Sequence, residues 1–181
     1  RLPCCAFRAN TGFANMFPAC SPDGKKLAYV STKNADYFSQ SSLFVYDFTA
    51  GEEKLVQSGV RTDMTWSPDG GKLYYARATR DNPHWSYQFD LYAYDLAAEE
   101  ETRITEGRRA ISPALSPDGR WALTAPLDRP TRLVLLPTGA GSPRTLALPG
   151  LTRFLWTSFF PDGQRIVVVD DSIVRGTTTR G

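Results

Sequence analysis

The sequence predicts an all-β fold made of a repeated unit of four antiparallel strands, and three observations predict it. The tripeptide Pro-Asp-Gly occurs four times, with prolines at 22, 68, 117 and 161, giving intervals of 46, 49 and 44 residues. Each copy stands before a short run rich in aromatic or β-branched residues: "KKLAYVS", "GKLYYAR", "RWALTAP" and "QRIVVVD". A third strand-like run recurs as "SLFVYDF", "DLYAYDL" and "TRLVLLP", with Leu43, Leu91 and Leu133 in register. Runs of this composition bounded by turn residues are the signature of β-strands.

The turn comes first because it fixes the rest. Ser21, Ser67 and Ser116 precede three of the tripeptides, and their hydroxyls can bond the backbone ahead. Pro22, Pro68, Pro117 and Pro161 preset φ near −65° for the first corner of a type I turn, and Asp23, Asp69, Asp118 and Asp162 suit the second. Gly24, Gly70, Gly119 and Gly163 supply the left-handed residue that closes a bulged hairpin. The first strand of each unit is therefore "ANMFPAC", "TDMTW", "SPAL" or "WTSFF", and the second is the run after the turn. The fourth is "EKLVQSG", "TRITEG" or "RTLALPG", each ending in glycine. Four strands in 44 to 49 residues is the length of a β-propeller blade. A sandwich or barrel also has many short strands, but neither predicts one four-strand order in successive units. The expected organisation is a single propeller domain over 1–181, with an N-terminal segment at 1–13, blades at 14–59, 60–107 and 108–150, and an incomplete blade at 151–181.

The Ser-Pro-Asp-Gly bend, the "KLAYV" type strand after it and the "LFVYDF" or "LYAYDL" strand closing on aspartate resemble the WD-like repeats of TolB-like β-propellers. Tricorn-like and prolyl-oligopeptidase-like proteases carry similar repeats. The resemblance runs from about Phe13 to Asp170 and departs in two places: Pro137 stands where Asp47 and Asp95 do, and Phe160 replaces the turn serine. It implies the blade fold strongly and any single activity weakly. Propellers close their rings with four to eight blades, so about three and a half blades imply part of a larger ring, or a four-bladed ring completed by residues 1–13.

Composition narrows the function. A net charge of +2 and no basic cluster interleaved with aromatics argue against nucleic acid, and no apolar run is long enough to span a membrane. One histidine, His84, and no Gly-x-Ser-x-Gly elbow leave no hydrolytic triad, so the chain is expected not to be an enzyme. The recurring aspartates are turn residues without the spacing of a calcium loop, "TGAGS" at 138–142 lacks the lysine of a phosphate loop, and no metal or other cofactor is expected. Cys4, Cys5 and Cys20 leave two readings open: a disulfide from Cys20 to one of the adjacent pair, or Cys20 as a small buried apolar residue where Trp66, Leu115 and Phe159 stand. The second is preferred. Trp66, Trp121 and Trp156 lie in first or second strands and are assigned to packing between blades.

Strand alternation puts the four tight turns on one rim and the longer loops on the other. The loops "STKNADYFSQS" and "RATRDNPHWSYQF" carry Tyr37, Phe38, His84, Trp85, Tyr87 and Phe89, and Arg108 with Arg109 precede the third blade on the same side. Exposed aromatics with arginine are the composition of protein-binding hot spots, so these eight residues form the candidate partner-binding face. The expected function is a non-enzymatic protein-binding scaffold. The resemblance further implies a periplasmic or cell-surface location. Two alternatives stand beside it: the substrate-gating propeller of a larger serine peptidase, and an accessory subunit of a membrane or envelope assembly.

Overall fold

The computed structural model describes residues 13–35, 40–79, 88–126, 132–148 and 154–170. Among these residues lie fourteen strands in four antiparallel sheets. The first sheet contains β1 (Asn15–Cys20), β2 (Lys26–Ser31), β3 (Ser42–Asp47) and β4 (Glu52–Ser58), paired in chain order. The second repeats the pattern with β5 (Val60–Trp66), β6 (Lys72–Thr79), β7 (Gln88–Asp95) and β8 (Glu100–Arg103), and the third with β9 (Ala110–Leu115), β10 (Trp121–Pro126), β11 (Arg132–Pro137) and β12 (Arg144–Ala147). The fourth pairs β13 (Phe154–Phe159) with β14 (Ile166–Asp170). The first strands β1, β5, β9 and β13 contact one another in succession, so the sheets stack face to face about a shared inner edge. This is the arrangement of propeller blades, and the all-β expectation holds.

Stacking explains why the middle strands are not simply alternating. Residues Leu27 to Ser31 of β2 are all buried: Ala28 and Val30 face blade 2, while Leu27 and Tyr29 cluster with Phe44, Cys20, Tyr46 and Phe48 on the other face. The core between blades 1 and 2 unites Val30, Leu43 and Val45 of one sheet with Val60, Leu73 and Tyr75 of the next. Trp66 is 6% exposed in this core, and its indole N–H donates to the Ala19 carbonyl at 2.9 Å, so a packing residue also stitches two blades together. A smaller core of Ala76, Leu91, Ala110, Ala122 and Leu136 joins blades 2 and 3. Leu123 and Leu133 form the core between blades 3 and 4.

Each inner strand carries a register shift: between Met16 and Ala19 in β1, between Val60 and Met64 in β5, opposite Leu123 and Ala125 in β9, and between Phe154 and Trp156 in β13. Bulges bend and twist a strand, and here they recur where the blades crowd towards the axis. Phe17 and Ser112, with φ of 53° and 51°, sit at these bulges in the left-handed region.

Three features depart from the sequence reading. The fourth strand of blade 2 is Glu100–Arg103 instead of "TRITEG", because the chain turns away at Ile104 and Thr105 to serve a buried carboxylate described below. Trp156, assigned to packing, is 63% exposed, since no described sheet covers that face of blade 4. Cys20 is half-buried against Leu27, Tyr29 and Phe44 and is disulfide-bonded; the other two cysteines lie outside the described residues. The preferred reading of Cys20 as a packing residue alone is thereby corrected: it packs and it cross-links.

Candidate functional site: the two rims of the blades

The rim built by the Pro-Asp-Gly turns is rigid for a reason visible in each copy. Ser21 Oγ donates to Asp23 Oδ1 at 2.6 Å and accepts from the Lys26 amide at 2.9 Å, while the Lys25 amide donates to the same Asp23 oxygen at 3.0 Å. Ser67 with Asp69 and Ser116 with Asp118 repeat the arrangement. Serine and aspartate thus close the turn from both sides, and all three aspartates are held below the usual carboxylate range, first by the serine hydroxyl and then by the backbone N–H. In the fourth turn Phe160 removes the hydroxyl, and the Arg165 guanidinium takes its place on Asp162 at 2.8 Å.

The turns also touch one another. A Cβ placed on Gly70 would meet Pro22 at 3.5 Å, on Gly119 would meet Pro68 at 3.0 Å, and on Gly163 would meet Pro117 at 3.5 Å. Pro22, Pro68 and Pro117 therefore each pack on the glycine of the following blade's turn; all three glycines are favoured by a φ near 70°, and Gly119 is required a second time by the close approach of Pro68. Beneath the turns Lys26 pairs with Asp47 and Lys72 with Asp95, directly across their strands. In blade 3 the cross-strand partners are Trp121 and Pro137, so the loss of the aspartate is matched by loss of the lysine. Trp121 is half-buried with Arg144 4.8 Å above its ring.

The opposite rim is organised by Asp90, which is 0% exposed. Arg103 donates to Asp90 Oδ2 at 2.7 Å and Thr105 Oγ1 to Oδ1 at 2.8 Å. The Gly107 and Arg108 amides each donate at 3.1 Å. Burial pushes this carboxyl up, but Arg103, Thr105 and the two amides pull harder, and it lies below the ordinary range. Gly107 and Arg109, with φ of 63° and 52°, shape the tight turn in which the Gly107 and Arg108 N–H groups face inward. The side chains of Arg108 and Arg109 consequently point their charge at solvent as exposed residues.

Of the eight predicted site residues, the structure places Phe89, Arg108 and Arg109 on this rim. Phe89 is half-buried against the core of blades 2 and 3. Tyr37, Phe38, His84, Trp85 and Tyr87 lie outside the described residues. Asp90, Thr105 and Gly107 were not anticipated as a unit. The available signal was an aspartate at the head of an otherwise apolar strand, at the position held by Ser42 in blade 1 and Arg132 in blade 3. Among the described residues no three His, Cys, Asp or Glu side chains converge as a metal site, and no helix is long and apolar enough to cross a membrane.

Four-stranded sheets stacked about a common inner edge define the chain as β-propeller blades. More particularly, it is similar to TolB β-propellers. It resembles the solved putative TolB of Agrobacterium tumefaciens with a TM-score of 0.69 and 25% identity over 83% of this chain and 52% of that one. For TolB of Acinetobacter baumannii the TM-score is 0.68 with 22% identity, over 86% of this chain and 37% of that one. The propeller domain of the Trilobed protease of Pyrococcus furiosus shares the fold, with a TM-score of 0.63, 20% identity and coverage of 80% and 45%. By sequence the chain is 34% identical to an uncharacterised protein of Agrobacterium fabrum over 63% of its own length and 38% of the relative's. It is 32% identical to the Tol-Pal system protein TolB of Ruthia magnifica over 49% of its own length and 19% of the relative's. The chain therefore spans well under two thirds of these relatives. No family model matches it.

Proposed function

We propose that these blades form a non-enzymatic module that binds a protein partner through the loop-rich rim. The observation that carries this reading is the asymmetry of the two rims. One is closed by near-identical, mutually packed turns, whose polar groups satisfy one another. The other holds the longer connections, and its inter-blade turn is anchored from within by Asp90 while two arginines face outward. A pre-organised backbone loses little freedom on association, so a modest set of contacts yields useful affinity. The likeness to TolB proteins and the disulfide at Cys20 support a periplasmic or cell-surface setting, where disulfides persist.

A second reading has an observation of its own: the likeness to the propeller domain of a protease favours blades that gate substrate access to a peptidase. Affinity capture with the wild-type protein and with a Trp85→Ala/Tyr87→Ala variant separates the readings. Partner capture lost in a variant with an unchanged urea midpoint supports rim binding. Equal capture by both proteins, or hydrolysis of unstructured peptides by the purified protein, refutes it.

A further inference from the structure

Between blades 2 and 3, on the loop-rich side, a groove of about 270 Å³ opens outward. It exists because β8 is only four residues long: past Arg103 the chain turns inward to close on Asp90 and leaves the outer part of blade 3 uncovered. The floor is apolar, made by Ala110, Val134 and Leu136, and the wall includes Thr145 of the exposed strand β12. The mouth holds Arg108 and Arg132. Arg132 occupies the repeat position that is Asp90 in blade 2, so an acid that is consumed internally in one blade becomes an outward base in the next. Neither arginine forms an ion pair among the described residues, and no carboxylate is among the described residues of the lining. The groove on the other rim, about 370 Å³ between blades 3 and 4, differs in this respect: Asp118 and Asp162 line it together with Arg144.

We propose that the groove between blades 2 and 3 binds an acidic peptide segment of the protein partner, an apolar side chain entering the floor while a neighbouring Asp or Glu carboxylate meets Arg108 and Arg132. Guanidinium is weakly hydrated and its planar fork matches a carboxylate in two parallel hydrogen bonds. The apolar floor selects a side chain, and the described lining offers no aromatic face on which a nucleic acid base would stack. The groove is close to the lower bound of ligand clefts, roughly 300 Å³, which suits one or two side chains of an extended segment. This inference rests on the proposed rim-binding function and assigns it a chemistry.

The test uses arrays of heptapeptides that place one glutamate beside leucine or valine, with matched arrays carrying glutamine or lysine, and a single-stranded oligonucleotide as a further probe. The glutamate series binds in preference to both others, and affinity falls about tenfold with Arg108→Ala and again with Arg132→Ala, the effect expected for loss of one charge-assisted contact each. Arg108→Lys restores part of it, Arg120→Ala on the opposite rim changes nothing, and binding weakens as salt rises. Equal binding of the glutamate and glutamine series, indifference to both alanine variants, or tighter binding of the oligonucleotide overturns the proposal. If the double arginine variant still captures the protein partner while the aromatic variant does not, rim binding stands and this groove is not its site.

Discussion

Replacing Asp90 by alanine tests the internal anchor of the loop-rich rim. The change leaves the Thr105 hydroxyl, 5% exposed, without its acceptor and the Arg103 guanidinium without its counter-charge. A buried donor left unpaired costs about 1–3 kcal/mol, and breaking a buried ion pair from one side costs about 3–5 kcal/mol. Arg103 is 32% exposed, so water relieves part of its loss, and the Gly107 and Arg108 amides sit in an exposed turn where water substitutes readily. Removing the carboxylate also removes its own desolvation. The net expectation is a loss of about 3 kcal/mol, at the low end of the one-sided range. With a urea dependence of about 2 kcal/mol per molar, the midpoint falls by about 1.5 M. Asp90→Asn keeps an acceptor without the charge and falls between wild type and alanine. Urea denaturation followed by tryptophan fluorescence and by circular dichroism measures all three proteins. A loss below about 1 kcal/mol for the alanine variant would refute the anchoring role, since it would equal that of an ordinary surface change.

Three further expectations follow from the turns and from a second carboxylate. Gly119→Ala places a methyl group 3.0 Å from Pro68 at a φ of 70°, whereas Gly51→Ala meets open space at the same φ; urea midpoints should show the first costing clearly more than the second, which carries only the left-handed penalty of about 1–2 kcal/mol. Asp47, held down to about 2 by Lys26 and by the Ala50 and Thr49 amides, and the four turn aspartates all have depressed folded pKa values, so their stabilisation is complete above the unfolded carboxylate value of about 3.9. A thermal-melt series should accordingly be flat near neutrality and decline as pH falls from about 4 towards 2. Asp63 has the opposite sign: burial raises it, more than its hydrogen bond from Ser112 lowers it. Asp63→Asn should therefore raise the melting temperature at pH 7 and leave it unchanged at pH 3, where both states of the wild type are protonated; a lower melting temperature at pH 7 would contradict that.

The blades were legible because their signals are local. Proline, aspartate and glycine dictate a turn through their own φ preferences and side-chain hydrogen bonds, and Leu43, Leu91 and Leu133 mark one strand position three times. What the residues did not disclose depends on neighbours distant in the chain. The end of β8 at Arg103 follows from the competition for Asp90, whose partners stand 13 to 18 residues away. Strand propensity in "TRITEG" pointed the other way, and four hydrogen bonds to a buried charge prevailed. Trp156 has the composition of a core residue, yet exposure depends on what covers blade 4. The inner-strand bulges are set by crowding near the axis, which no single blade encodes. On the rim, Arg108 and Arg109 were recognisable as outward charges, while the groove beside Arg108 required knowing that β8 is short.

The most direct measurement is hydrogen exchange of the protein with and without its captured partner. Binding at the loop-rich rim predicts slowed exchange in residues 32–41 and 104–109 and no change at the four Pro-Asp-Gly turns. Protection confined to those turns, or spread evenly over both rims, would contradict it.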